Sequence, residues 1–68
     1  MMNQAVLDYL ANLGDVSSQI DDCACLEARM IVLECFENNI GQNEVNNKKA
    51  LEIIHSSKEK IISRMKGY

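Results

Sequence analysis

The sequence predicts an all-α protein: a three-helix bundle, or a helical hairpin with an additional N-terminal helix. Proline is absent and glycine occurs only three times in 68 residues, so few positions interrupt a helix. Apolar residues also recur at three- and four-residue steps along most of the chain, which is the helical period. At this length we expect one domain, residues 1–68, near the lower size limit for a self-supporting core.

The first helix is predicted from about residue 3 to residue 20, with Asn3 as its N-cap. One face of this helix collects Val6, Tyr9, Leu10, Leu13, Val16 and Ile20. The apolar phase continues through Gly14, which favours an unbroken helix even though an interior glycine costs about 1 kcal/mol relative to alanine. Gly14 followed by Asp15 is also a pattern that ends one helix and starts another, so a break there stays open.

The second helix is predicted from about residue 22 to residue 39 and is the most apolar of the three. Asp22 suits its start, because a carboxylate accepts hydrogen bonds from free N–H groups. In helical projection Glu27 and Glu34 share one narrow polar stripe, and almost everything else up to Phe36 is apolar. Two flanking helices can hardly cover such a central helix, so we expect dimerisation or a partner protein to complete the fold.

The predicted interface therefore lies on the second helix. Arg29 projects from an otherwise apolar side, and arginine is enriched at interfaces, where it pairs with carboxylates. Its expected partner across a dimer is an acid such as Asp8, Asp15 or Glu37. The alternative is that Arg29 extends along an edge of the bundle. The predicted interface residues are Leu26, Arg29, Met30, Leu33 and Phe36.

The third helix is predicted from about residue 43 to residue 66. Gly41 suits the end of the preceding helix and Asn43 suits the start of this one. The residues expected on its core face are Ala50, Ile54, Ile61 and Met65, with Tyr68 as a further candidate. The helices are joined by short connections, and no internal repeat or low-complexity segment is present.

Charge is distributed unevenly along the chain. Residues 1–44 hold eight acids and one base, a balance of −7, whereas residues 45–68 hold six bases and two acids, a balance of +4. The simplest interpretation is that the basic third helix packs beside the acidic helices, in one chain or across a dimer. The alternative is a surface for polyanions, although a pI of about 4.9 disfavours DNA binding. The residues for that contact are Lys48, Lys49, Lys60, Arg64 and Lys66.

Four potential metal ligands occur: Cys23, Cys25, Cys35 and His55. Residues two apart on a helix point about 160° apart, and structural zinc sites usually use C-x₂₋₄-C, so the spacing is poor unless Cys23 lies in the preceding turn. Nothing orients His55 towards a thiol, and the glycines form no phosphate-binding loop. We expect no enzyme activity, no cofactor, no metal and no small-molecule substrate.

The location expected from the sequence is the cytoplasm. The first residues lack the basic and apolar regions of a signal peptide. Three cysteines make an odd count without a disulfide pattern. The second helix carries too many charged residues to span a membrane.

Residues 44–59, EVNNKKALEIIHSSKE, resemble a segment of the AriR/YmgB family of small all-helical regulators of biofilm formation and acid resistance. The likeness rests on Val45-Asn46-Asn47-Lys48 and Ile54-His55-Ser56, with Tyr9-Leu10 similar to a pair near the start of that domain. It covers about a quarter of the chain. The resemblance implies a homodimeric connector or regulator with possible DNA association, and it carries over no site residues.

The function predicted from these observations is that of a small non-enzymatic regulatory or adaptor protein of bacterial or phage origin. It would act through protein–protein interaction as a helical homodimer. The alternatives are a phage or mobile-element inhibitor of a host or defence protein, a chaperone-like subunit of a heteromeric complex, and a weak DNA-binding regulator that uses the basic third helix.

Overall fold

The computed structural model describes residues 4–40 and 47–67. They form helix α1 (Gln4–Asp15), a 3-10 turn (Ser17–Gln19), helix α2 (Cys23–Ile40) and helix α3 (Lys48–Met65), with no strand among them. The predicted all-α, three-helix architecture is confirmed. The predicted helix caps Asn3, Gly41 and Asn43 lie outside the described residues.

Helix α1 ends five residues earlier than predicted, so the expectation of an unbroken helix to Ile20 is wrong. The buried Ser17 hydroxyl donates to the Gly14 carbonyl oxygen at 2.6 Å, which gives that carbonyl a partner outside the helical pattern. The Gln19 N–H then donates to the Val16 carbonyl at 3.0 Å, closing a 3-10 turn. Ile20 is extended, with φ −95° and ψ 125°, and the chain turns towards α2.

Helix α2 begins and ends within one residue of its predicted bounds. The Asp22 carboxylate accepts a hydrogen bond from the Ala24 N–H at 2.9 Å, and the Asp22 carbonyl accepts the first helical bond, from Leu26, at 3.2 Å. Asp22 is therefore the N-cap, as its position in the sequence predicts.

Helix α3 is the central element, whereas the sequence indicated α2. Both α1 and α2 pack mainly on α3 and touch each other only slightly. One apolar cluster joins the three helices. Its buried members are Leu10, Leu13, Leu26, Leu33, Ile40, Ala50, Ile54 and Ile61. The predicted burial of Ala50, Ile54 and Ile61 on α3 is confirmed, whereas Met65 is only partly buried and Ser57 is also buried. The further candidate, Tyr68, lies outside the described residues.

Helices α1 and α3 approach each other closely at Gly14. A Cβ atom added at Gly14 would lie 2.5 Å from the Cα atom of Ser57, so only glycine fits at this crossing. The buried Ser57 hydroxyl donates to the Leu10 carbonyl oxygen at 2.8 Å. This hydrogen bond satisfies a buried hydroxyl and fixes the position of α3 along α1.

Ion pairs link the basic helix α3 to the acidic parts of the same chain. Lys60 Nζ lies 2.5 Å from Asp15 Oδ1, and Arg64 Nη2 lies 3.0 Å from Asp21 Oδ1. A third pair joins Lys58 to Glu37 of α2, at 3.1 Å. These contacts place three bases of α3 beside acids of the same chain, in agreement with the interpretation that the basic third helix packs beside the acidic helices.

Candidate interaction surface

Two of the predicted interface residues belong to the core of the chain itself. Leu26 and Leu33 are 0% exposed and pack against α3 and α1 residues in the apolar cluster. A second molecule cannot contact a side chain without exposed surface while the helices stay packed. The surface of α2 that a partner can reach is therefore on a different side of the helix.

Arg29 joins α2 to the end of α1. Its Nη1 atom donates to the Leu13 carbonyl oxygen at 3.3 Å. Leu13 lies in the last turn of α1, where carbonyl groups lack helical partners and a cation is favoured by the helix dipole. Two of the acids named for Arg29 have other partners, because Asp15 pairs with Lys60 and Glu37 with Lys58. The alternative interpretation, an arginine at an edge of the bundle, describes this geometry.

The remaining predicted interface residues, Met30 and Phe36, are partly buried against the core. The ring of Phe36 lies 6.5 Å from that of Tyr9 on α1, tilted by 53°, a favourable edge-inclined arrangement. Tyr9 is 49% exposed. The two rings therefore contact each other between α1 and α2, and about half of Tyr9 stays accessible to solvent.

The side of α2 turned away from the core is apolar and uncovered. We call it the outer face of α2 and define it by Ala24, Ala28, Ile31 and Cys35, all of which are exposed. The steps of four, three and four residues place these side chains in one row along the helix. Ile31, at 60%, is the most exposed of the large apolar residues that the structure describes, and the row contains no charged residue.

Acidic side chains follow one edge of this outer face. Glu27 and Glu34 are both exposed and lie seven residues apart, about 10 Å along the helix axis. Among residues 4–40 and 47–67, neither takes part in an ion pair. Glu27 has a contact of 3.8 Å with the Cys23 thiol. The edge thus keeps its negative charge available to a partner.

The residues predicted to contact a polyanion do not form one stripe. Lys60 and Arg64 are paired with Asp15 and Asp21. The other three, Lys48, Lys49 and Lys66, are exposed, but Lys48 and Lys66 lie at opposite ends of α3, about 27 Å apart at 1.5 Å per residue. A backbone of closely spaced phosphates would meet two bases that are already paired with acids in the C-terminal half of α3 and three others that are divided between its two ends.

An open groove of about 660 Å³ runs between the end of α1 and the C-terminal half of α3. Serine hydroxyls line it together with Asp15, Lys60 and Arg64, and its lining includes no His or Cys. Both cations face a carboxylate, Lys60 that of Asp15 and Arg64 that of Asp21. The groove therefore offers hydroxyl hydrogen bonds to a small polar molecule, without an activated nucleophile or an unopposed cation. Its carboxylate without an ion pair among the described residues is that of Glu59.

Glu37 forms the densest polar cluster on the α2–α3 contact. His55 Nε2 lies 2.9 Å from one of its carboxylate oxygens and Lys58 Nζ lies 3.1 Å from the other. Hydrogen bonds from His55 and then from Lys58 hold the pKa of Glu37 below its ordinary value of 4.5. The cluster keeps Glu37 ionised and ties two helices together, and His55 is largely exposed.

The three cysteine thiols have different surroundings. Cys25 Sγ is 3.7 Å from a carboxylate oxygen of Asp22, Cys23 is near Glu27, and Cys35 is exposed on the outer face of α2. All three thiols are free. In the part of the chain that the structure describes, no group of three or more His, Cys, Asp or Glu side chains is arranged to hold a metal ion.

The outer face of α2 was not among the predicted interface residues, although its spacing is visible in the sequence. Ala24, Ala28, Ile31 and Cys35 form a second apolar row, opposite the row that contains Leu26 and Leu33. The prediction selected the row with the larger side chains, and that row is the one that enters the core.

Comparison of the whole chain with protein-family models, with curated proteins and with solved structures finds no significant match.

Proposed function

We propose that this chain is a small regulatory or adaptor protein that acts, without catalysis, by binding another protein through the outer face of α2. The observation that carries the proposal is the exposed row centred on Ile31, which is 60% exposed although the two leucines of the same helix, Leu26 and Leu33, are fully buried. Contiguous exposed apolar surface with a charged rim is typical of protein-interaction sites.

The contacts of the polar groups support a non-enzymatic role. Arg29 is held at the end of α1, Glu37 is held by His55 and Lys58, and the Ser57 hydroxyl is used at the helix crossing. Each of these groups stabilises the packing of two helices. Their geometry is that of structural contacts rather than of a nucleophile with its base.

The predicted homodimer stays a prediction, and the outer face of α2 is where it would form, because the other apolar side of α2 is already buried. We also propose a cytoplasmic location, which the three free thiols support. No helix among the described residues is both long and apolar enough to cross a membrane.

Photo-crosslinking in the native cell tests this function. A photoreactive amino acid is placed at position 31, on the outer face of α2, or at position 62 on α3, where Ile62 is 41% exposed and serves as the matched control. We expect a discrete protein adduct from position 31 and none from position 62. Equal adduct patterns at both positions, or no adduct at position 31, would contradict the proposal.

A further inference from the structure

We infer that the outer face of α2 receives a basic amphipathic helix from a different protein. This inference rests on the proposed function and adds the chemistry of the partner. It follows from three features of the face: its shape, the sign of the charge along its edge, and its poor fit to a second copy.

The shape of the face fits a single helix. From Ala24 to Cys35 it is eleven residues long, about 16 Å or three helical turns. Ile31 is the one large side chain in the row, and the alanines and the cysteine on either side of it are small. Small residues let another backbone approach closely, while Ile31 enters the space between side chains of the partner helix.

The charge along the edge specifies the partner's polar residues. Glu27 and Glu34 lie two turns apart beside the apolar row and have no ion-pair partner in residues 4–40 and 47–67. The only base on α2, Arg29, donates to the Leu13 carbonyl and projects from another side of the helix. A helix with apolar residues on one side and lysine or arginine at seven-residue spacing beside them would match both carboxylates.

A second copy of α2 fits this face less well. In an antiparallel twofold pair the same edges of the two helices meet, so Glu27 and Glu34 of each copy would face carboxylates. In a parallel pair opposite edges meet, and both glutamates would lie beside the edge that carries Cys25 and Val32. Neither arrangement supplies a base, and carboxylates at an interface without one are costly.

A designed peptide supplies the probe. It is a fluorescein-labelled helix of about three heptads, with leucine in one row, lysine at seven-residue spacing beside it, and alanine or glutamine elsewhere. Binding to the full chain is measured by fluorescence anisotropy at low and high salt. We expect binding that weakens with salt, and no binding of the same peptide with glutamate in place of lysine.

Matched variants locate the binding site. We expect E27Q/E34Q to weaken peptide binding about fivefold, since two exposed ion pairs are lost. The control E52Q/E59Q removes the same charge at the same spacing from exposed positions of α3, and we expect no change. Ile31→Asp should weaken binding by roughly tenfold or more, whereas Ile62→Asp on α3 should not. Circular dichroism melting establishes that each variant is folded, and the glutamate pair tests the site independently of Ile31.

The outcomes separate the inference from the proposed function. Equal losses in E27Q/E34Q and E52Q/E59Q, or unchanged binding to Ile31→Asp, would overturn the inference by showing attraction to net charge alone. A dimer of the free protein that Ile31→Asp dissociates in sedimentation would overturn it in favour of a second copy. In either case a crosslink from position 31 would leave the proposed function standing, and its absence would remove both.

Discussion

At the scale of the residue, Glu37 shows how one side chain stabilises the contact between α2 and α3. Because His55 and Lys58 donate hydrogen bonds to it, the pKa of Glu37 is lower in the folded chain than its ordinary value of 4.5. A lowered folded-state pKa contributes stability that is present above the unfolded pKa and is lost as the pH falls through the folded pKa. The window is therefore acidic, from about pH 4.5 downwards.

We expect Glu37→Gln to lower the free energy of unfolding by about 0.5–1 kcal/mol at neutral pH, because partly exposed ion pairs contribute little. At about pH 3, below the ordinary pKa of 4.5, the difference should be smaller, because this stabilisation is lost as the pH falls from the unfolded pKa through the lower folded pKa. Urea unfolding at both pH values measures it. Glu34→Gln, an exposed acid of the same helix without an ion pair among the described residues, is the control and should change stability little at either pH.

The pH dependence of Glu37→Gln separates charge from packing. A loss of stability that is the same at pH 3 and at neutral pH would mean that packing of the side chain, rather than its charge, provides the stabilisation. Glu37 was one of the acids predicted to pair with Arg29, but its carboxylate contacts Lys58 and His55 instead.

For Arg29 the sequence predicts the direction of the side chain but not its partner. Helical projection correctly places it on an apolar side of α2, away from Glu27 and Glu34. Projection does not give the neighbour on that side, because the Leu13 carbonyl that Arg29 contacts is free only where α1 ends. The end of α1 depends on the Ser17–Gly14 hydrogen bond, a contact that the apolar period does not show.

At the scale of the element, the crossing of α1 and α3 depends on Gly14. We expect Gly14→Ala to destabilise the protein by about 1–2 kcal/mol, because overpacking costs about 1–3 kcal/mol and the better helix propensity of alanine returns up to about 1 kcal/mol. The new Cβ atom would lie 2.5 Å from a backbone atom of Ser57, so one helix must shift. Thermal and urea unfolding measure the change.

Gly67→Ala is the control for this crossing. Its Cβ atom would lie 3.3 Å from the Arg64 carbonyl oxygen, beyond the last residue of α3, and we expect a change within about 0.5 kcal/mol. If Gly14→Ala instead stabilised the protein by the full propensity difference, α1 and α3 would cross at a larger distance than the structure gives.

The helix bounds show which parts of the fold the sequence contains. The start of α2 was predicted to within a residue because Asp22 is a local signal that acts on the Ala24 N–H beside it. The end of α1 was missed because Val16 and Ile20 keep the helical spacing across a 3-10 turn. The spacing of apolar residues indicates which side chains face the core. A short 3-10 turn leaves the direction of those side chains nearly unchanged, so the spacing does not show where the α-helix ends.

The central position of α3 was not predictable from composition. The apolar content of α2 indicated that it would be the helix surrounded by the others, but α1 and α2 both pack mainly on α3. That arrangement depends on residues far apart in the chain, such as Gly14 against Ser57 and Asp15 with Lys60. The core residues of α3 were predictable, since Ala50, Ile54 and Ile61 follow the helical period.

At the scale of the whole molecule, the three helices form a thin body, with Cα extents of 36 × 19 × 15 Å. A body of this thickness covers the core side of α2 and leaves its outer face open. Three bases of α3 pair with Asp15, Asp21 and Glu37, and the acids of the outer edge of α2, Glu27 and Glu34, are in none of these pairs, so the charge near the outer face is acidic. The partner chemistry inferred for this face follows from the distribution of ion pairs over the whole chain.

The apolar core is closed within one chain. Because eight apolar residues from all three helices are buried within one chain, we expect that chain to fold alone and its melting temperature to be independent of protein concentration over a hundredfold range. An obligate dimer would melt at higher temperature as concentration rises. Ile31→Asp should leave the melting temperature of the free protein almost unchanged, since Ile31 is exposed. A melting temperature that rises with concentration, and falls in Ile31→Asp, would instead support the homodimer predicted from the sequence and place its interface on the outer face of α2.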